Sequence, residues 1–281
     1  MGEHVDVGLF GPDSVSWRVH AEPILWVGGL RALYLQALHP RAIAGVVQNS
    51  DFRRDSWGRL MRTAEYVGTV VYGTTTDASR AGARIRGIHA RLRARDPDTG
   101  EEFRVDEPDL LRWVHVTEVD SFVTTARRAG LRLTAADVDR YFAEQVRAAE
   151  LVGLDPATVP ASAAEVEDYY SRVRPELALT PAAVDVAAFL AVPPMPHHLG
   201  WTPARPAWIG VAAAGFGLLP RWARRMYRVP GLPMADLAAT VTARVGRQAM
   251  RVLPLKPGPI YTDAMRRAEQ ATTAPREMRR G

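Results

Sequence analysis

The sequence predicts an all-α fold built as a single helical domain, and three observations carry that prediction. Apolar residues recur at three-four spacing along most of the chain, the signature of amphipathic helices. Ser, Thr and Asp residues that can cap, with Gly and Pro residues that can stop, cut the chain into helix-length pieces. No run of alternating β-branched residues and no internal repeat interrupts that pattern.

The elements follow in order. Pro23 and Pro40 bracket an apolar segment, Ile24 to Leu38, and Pro40 suits the first turn of the next helix. His39, just before that proline, reads as a helix end where an imidazole meets free carbonyls. Ser56 can cap a helix reaching Tyr72, with Gly73 just past it. Thr76 or Asp77 then opens a helix expected to run to Arg95, and Asp96-Pro-Asp-Thr-Gly100 breaks it. Glu101 to Asp106 reads as a short extended excursion or a small hairpin. Helices are expected from Pro108 to Ala129, closed by Gly130, and from the Thr134 cap to Val152, closed by Gly153. Ser162-Ala-Ala-Glu165 is a capping box opening a helix to about Arg174, and Thr180-Pro181 begins another that ends before Pro193. From there to Pro233 the chain reads as loops and short helices, followed by a last helix from Met234 to Val252. The domain is drawn as residues 1–262, with a loose, Arg-rich tail over residues 263–281.

Composition narrows the chemistry. The chain has 281 residues, ample for a buried core, and no cysteine, which excludes disulfides, thiolate nucleophiles and cysteine-held metals. The net charge is +5, with arginines scattered along amphipathic helices and no nucleic-acid motif, so no nucleic-acid partner is expected. Met1 to Pro12 lacks the pattern of a signal peptide, and the most apolar stretch, Ala207 to Leu219, spans 13 residues with three glycines, too short to cross a bilayer. A cytoplasmic location is expected.

Arg86-Gly-Ile-His89-Ala-Arg-Leu-Arg93 is the most informative segment. Ala78, Ala81, Ile85, Ile88 and Leu92 form the buried stripe of its helix. His89 lies at the edge of that stripe, flanked by Arg86, Arg93 and Gly82. Nearby cations would keep this imidazole neutral, the form that ligates metals, while the guanidiniums suit carboxylates on the same ligand. Gly82 would clear space beside it. Arg59, Arg62, Thr63 and Tyr66 form a second strip at i, i+3, i+4 and i+7, which lines a pocket or else is a solvated face with Thr63 back-bonded to its helix. In Trp113-Val-His115-Val-Thr-Glu118, His115 shares a face with Leu111, Val119 and Phe122 and points inward, either to a core hydrogen bond or to a ligand. Trp17, His20, Gln36 and His39 form a fourth group, and His197-His198 sits in a proline-rich loop. No zinc motif and no Gly-x-Ser-x-Gly occurs, and Gly28-Gly29 follows a helical segment, which makes it a weak phosphate loop.

Taken in order, Gly11-Pro-x-Ser14-x-x-Trp17, Leu33-x-x-Gln36-x-x-His39-Pro40, Arg59-Leu-x-x-Thr63, Arg86-x-x-His89, Trp113-Val-His115, Tyr141-x-x-Glu144, Leu151-x-Gly153-Leu-Asp-Pro156 and Leu218-Leu-Pro220 resemble a known family. It is the helical family of haem-dependent oxygenases that includes the latex-clearing protein and the fungal oxygenase of mycophenolic acid biosynthesis. The resemblance implies a globin-like core around haem b, with His89 as the iron ligand. It implies haem-site roles for Arg59, Thr63 and Arg86, and Arg93 and His115 are added to the cofactor-binding set on geometry. Arg62 and Thr63, with Gln36 or His39, would supply polar contacts near bound oxygen. Rubber-cleaving members carry a lysine where this chain has Arg62, and their glutamate base has no counterpart, which argues against polyisoprene cleavage. The sequence thus points to O2 activation on a small apolar, unsaturated or terpenoid-like substrate. The alternative is a non-catalytic binder of haem or an apolar ligand.

Overall fold

The computed structural model describes residues 5–50, 53–194, 202, 204–230, 232–252 and 258–277. The all-α prediction holds. Thirteen helices run among the described residues: α1 (Val15–His20), α2 (Leu25–Ala37), α3 (Pro40–Asn49), α4 (Ser56–Tyr72), α5 (Thr75–His89), α6 (Pro108–Arg128), α7 (Ala135–Leu151), α8 (Ala163–Val173), α9 (Pro181–Ala191), α10 (Ala204–Gly217), α11 (Arg221–Met226), α12 (Pro233–Val252) and α13 (Pro259–Glu277). One antiparallel hairpin, β1 (Arg93–Arg95) and β2 (Glu102–Arg104), pairs Ala94 with Phe103.

Helix α2 is the axis of the molecule, lying between α6 and α10. Close approach to α6 requires glycine at position 28: a Cβ there would sit 3.1 Å from Phe122 Cδ1 and 3.2 Å from the Ser121 carbonyl. The Gly28-Gly29 pair is therefore a packing device. Tyr34, Leu35, Leu38, Trp113, Val116, Tyr141 and Leu219 fill the main core around this axis. Capping follows the sequence closely. Thr134 and Asp137 make a full capping box on α7, whereas Ser162 accepts from the Glu165 N–H and Glu165 reaches back to Ala161 instead of to Ser162.

Four expectations are corrected. Helix α5 ends at His89, six residues short of Arg95. The chain turns over Ala90–Leu92 because β1 pairs with β2 and buries Ala94 and Phe103 with Ala44 and Leu110, which outweighs the helical spacing that continues to Leu92. His39 caps the start of α3, its Nδ1 accepting from the Ala42 N–H at 3.4 Å, and does not close the preceding helix. The segment before Pro233 carries α10, a 14-residue helix whose Ala212, Ala214 and Gly215 are buried; Pro206, Trp208 and three glycines obscure its period in the sequence. Finally, α12 is not the last helix. Residues expected to form a loose tail belong to α13, which buries Ala264 and Ala268 against Trp17, Val71 and Tyr72. His197 and His198 lie outside the described residues.

Candidate functional site

Three helices carry the candidate residues. On α4, Arg59 and Tyr66 lie on one line, seven residues apart; on α5, Arg86 and His89 are one turn apart; on α6, so are His115 and Glu118. Helix α4 packs on α5, and neither packs closely against α6. Tyr66, Arg86 and Glu118 nevertheless lie within electrostatic reach of one another: the Tyr66 hydroxyl is pushed up to about 12 by burial and the nearby Glu118 carboxylate, with Arg86 opposing. Tyr66 and Arg86 therefore face the same space as Glu118.

That space is deep but open. Burial pushes the His115 imidazole down to about 4 and the Glu118 carboxyl up to about 7, yet both side chains keep part of their surface accessible. Groups so far inside the molecule that still touch solvent line an internal cleft. Neither His115, Glu118 nor the Tyr66 hydroxyl has a hydrogen-bond partner among the described residues. His20, on α1, borders the same region. Burial lowers it to about 3, and it is tied to the Tyr141 hydroxyl at 3.2 Å with Phe122 edge-on. A separate cavity of about 170 Å³ lies on the opposite face of α6, lined by Arg31, Asp120, Tyr170 and Trp222. Its polar groups already pair with each other: Arg31 donates to Asp120 at 2.9 Å and Tyr170 donates to the same carboxylate at 3.0 Å.

His89 is half-buried at the C-terminal end of α5, and its Nδ1 is buried without a partner. The imidazole is held neutral, as expected, but for a different reason. Desolvation lowers its pKa, and the nearby Asp106 carboxylate opposes that shift. The flanking arginines are engaged elsewhere. Arg86 donates to the Leu151 carbonyl at the end of α7, and Arg93, now on β1, donates to the carbonyls of Ala90 at 2.9 Å and Leu92 at 3.0 Å. Arg93 thus lies off the helical strip from which it was assigned. Gly82 clears no space beside His89. It lets α5 press on α7, since a Cβ there would sit 2.6 Å from the Leu151 carbonyl oxygen.

On α4 the strip divides. Arg62 is exposed and pairs with Asp55 at 2.8 Å, and Thr63 donates back to the Arg59 carbonyl at 3.0 Å. Arg59 is half-buried, with its pKa lowered by desolvation and by Arg62, and has no hydrogen-bonding partner among the described residues. Gln36 donates to the Val114 carbonyl at 3.3 Å and His39 caps α3, so both are occupied in the fold.

Glu118 is a residue that sequence reasoning left without a role. Its signal was present: a glutamate three residues after an inward histidine must share that histidine's face. Among the described residues, no group of three or more His, Asp or Glu side chains converges on a point where it could hold a bare metal ion. A cofactor that brings its own ligands needs one imidazole and a cation for each acidic attachment, and His89 and Arg59 are of those types.

Residues 17–254 match the family model described as ER-bound oxygenase mpaB/B'/Rubber oxygenase, catalytic domain. No curated protein and no solved structure matches the chain.

Proposed function

The chain belongs to the mpaB/rubber oxygenase catalytic-domain family, and from that membership we propose that it is a haem b-dependent oxygenase acting with O2 on a small apolar, unsaturated or terpenoid-like substrate. The observation that carries the reading is the His89 Nδ1, buried without a hydrogen-bond partner, with the half-buried Arg59, Tyr66, His115 and Glu118 side chains also lacking one among the described residues. Buried polar atoms in a folded protein are ordinarily satisfied, so the orphaned His89 Nδ1 calls for a ligand that meets it.

In this reading His89 holds the iron through its neutral ring, and the uncommitted Arg59 guanidinium meets a propionate. Arg86 keeps donors free beyond its bond to Leu151 and stands beside that second contact, with Thr63 and Arg93 at the periphery of the cofactor. Bound haem iron would supply O2 binding and activation at its open face, within a globin-like core. Glu118, near neutrality, can both give and take a proton, and His115, held neutral, can accept a hydrogen bond without carrying charge into the cleft. Arg62 and Thr63, exposed and paired with Asp55 and the Arg59 carbonyl, would have to leave those partners to reach bound oxygen. Leu111, Val119 and Phe122 share the face of α6 with His115 and favour an apolar substrate.

Expression with haem supplied, followed by visible spectra of the oxidised, reduced and CO-bound protein, tests this reading. A Soret band that shifts with CO, together with O2 consumption on addition of alkenes or terpenoids, supports it. A folded protein that takes up no haem contradicts it.

A further inference from the structure

Helix α12 wears an apolar stripe on the side turned away from the core. Ala239, Ala243 and Arg247 face inward, whereas Met234, Leu237, Val241, Val245 and Val252 are between 51% and 82% exposed. At about 100° per residue these five fall within an arc of about 80°, so they form one continuous ridge. Leu232 and Val229, also exposed, extend the ridge past the N-terminal end of α12. An exposed apolar patch of this extent marks an interaction surface.

The charges around the ridge select its partner. Between Asp185 and Asp263 the sequence holds nine Arg and Lys and one acidic residue, Asp236. That carboxylate is taken up by Arg221 at 2.6 Å and by Arg224, which dock α11 onto the start of α12. Arg225, Arg228 and Arg244 are exposed and have no partner among the described residues. An apolar ridge with a basic rim matches an anionic bilayer, where acyl chains take the aliphatic side chains and headgroups take the guanidiniums. A second copy fits poorly, because apposed ridges would bring basic rims together with no acid between them. We propose that α12 lies on the surface of anionic lipid membranes, with the Met234–Val252 ridge inserted and Arg225, Arg228 and Arg244 at headgroup level. The proposal stands independently of the haem reading.

Vesicle co-sedimentation of the full chain tests it, using phosphatidylcholine with and without phosphatidylglycerol. Binding is expected to the anionic vesicles at low salt and to fall as salt rises. The double variant Leu237→Gln, Val245→Gln should lower partitioning at least about tenfold, the scale of removing two aliphatic side chains from an apolar medium. Arg244→Glu should weaken binding as well. Thermal melts of these variants should match the unsubstituted protein, because the altered side chains touch no core. Failure to bind anionic vesicles, equal binding to neutral ones, or full binding by the double variant would each overturn the proposal. So would a dimer in light scattering that the double variant separates.

Discussion

Glu118 and His115 show how burial, more than neighbouring charge, sets the chemistry of single side chains here. Glu118 is raised from the carboxylate range to about 7 by desolvation. Between those two values the folded state binds the proton and the unfolded state does not, so stability falls as pH rises across that window. Glu118→Gln should match the parent below about pH 4.5 and exceed it at pH 8 by about 2 kcal/mol, allowing for solvent in the cleft; thermal melts across that range check it. His20 and His115 act in the opposite sense: lowered to about 3 and 4, they contribute stability above the ordinary imidazole range that is lost as pH falls through it. The neutrality of His89 was legible from sequence, but its cause was not. Arg86 and Arg93 sit beside it in sequence and spend their donors on backbone carbonyls at two helix ends, which no spacing rule reveals. Arg59, from another helix, has no hydrogen-bonding partner among the described residues.

At the scale of elements, several sequence landmarks turn out to be joints. Trp17 donates to the Val71 carbonyl at 3.0 Å, tying α1 to the end of α4, and Glu144 accepts from the Val15 and Ser16 N–H groups, tying α7 to the start of α1. Gly82 is the joint between α5 and α7. A Cβ there would also meet Leu151 Cβ at 2.8 Å, so Gly82→Ala should destabilise the fold by about 1–3 kcal/mol despite its better helix propensity; denaturant unfolding measures it. An equal or more stable Gly82→Ala would mean that α5 is not held in this position. Helix starts were readable because Thr134, Ser162 and Thr180 each accept from a backbone N–H three residues on. Helix ends set by tertiary pairing were not. Leu92 continues the apolar spacing of α5, yet the chain leaves the helix to form the hairpin with Phe103. Helix α13 was missed for a related reason: its buried stripe is made of alanines, which look unremarkable until Trp17 and Tyr72 are seen against them.

Over the whole molecule, the helices of the C-terminal half close onto the core through ion pairs that sequence cannot assign. Arg247 on α12 meets Glu22, ahead of α2, at 2.6 and 2.7 Å, both side chains almost wholly buried. Removing the carboxylate leaves a buried guanidinium uncompensated, so Glu22→Gln should cost about 3–5 kcal/mol in chemical unfolding, more than loss of an exposed pair such as Arg62 with Asp55. The same half of the chain carries the α12 ridge. No helix among the described residues is long and apolar enough to cross a membrane. On the proposed reading this framework holds haem through His89, and titrating haem into the ligand-free protein tests that reading most directly. Saturable binding with a Soret band is expected for the unsubstituted chain and for His115→Ala, and loss or severe weakening for His89→Ala. Undiminished binding by a folded His89→Ala protein, or loss confined to His115→Ala, would contradict it.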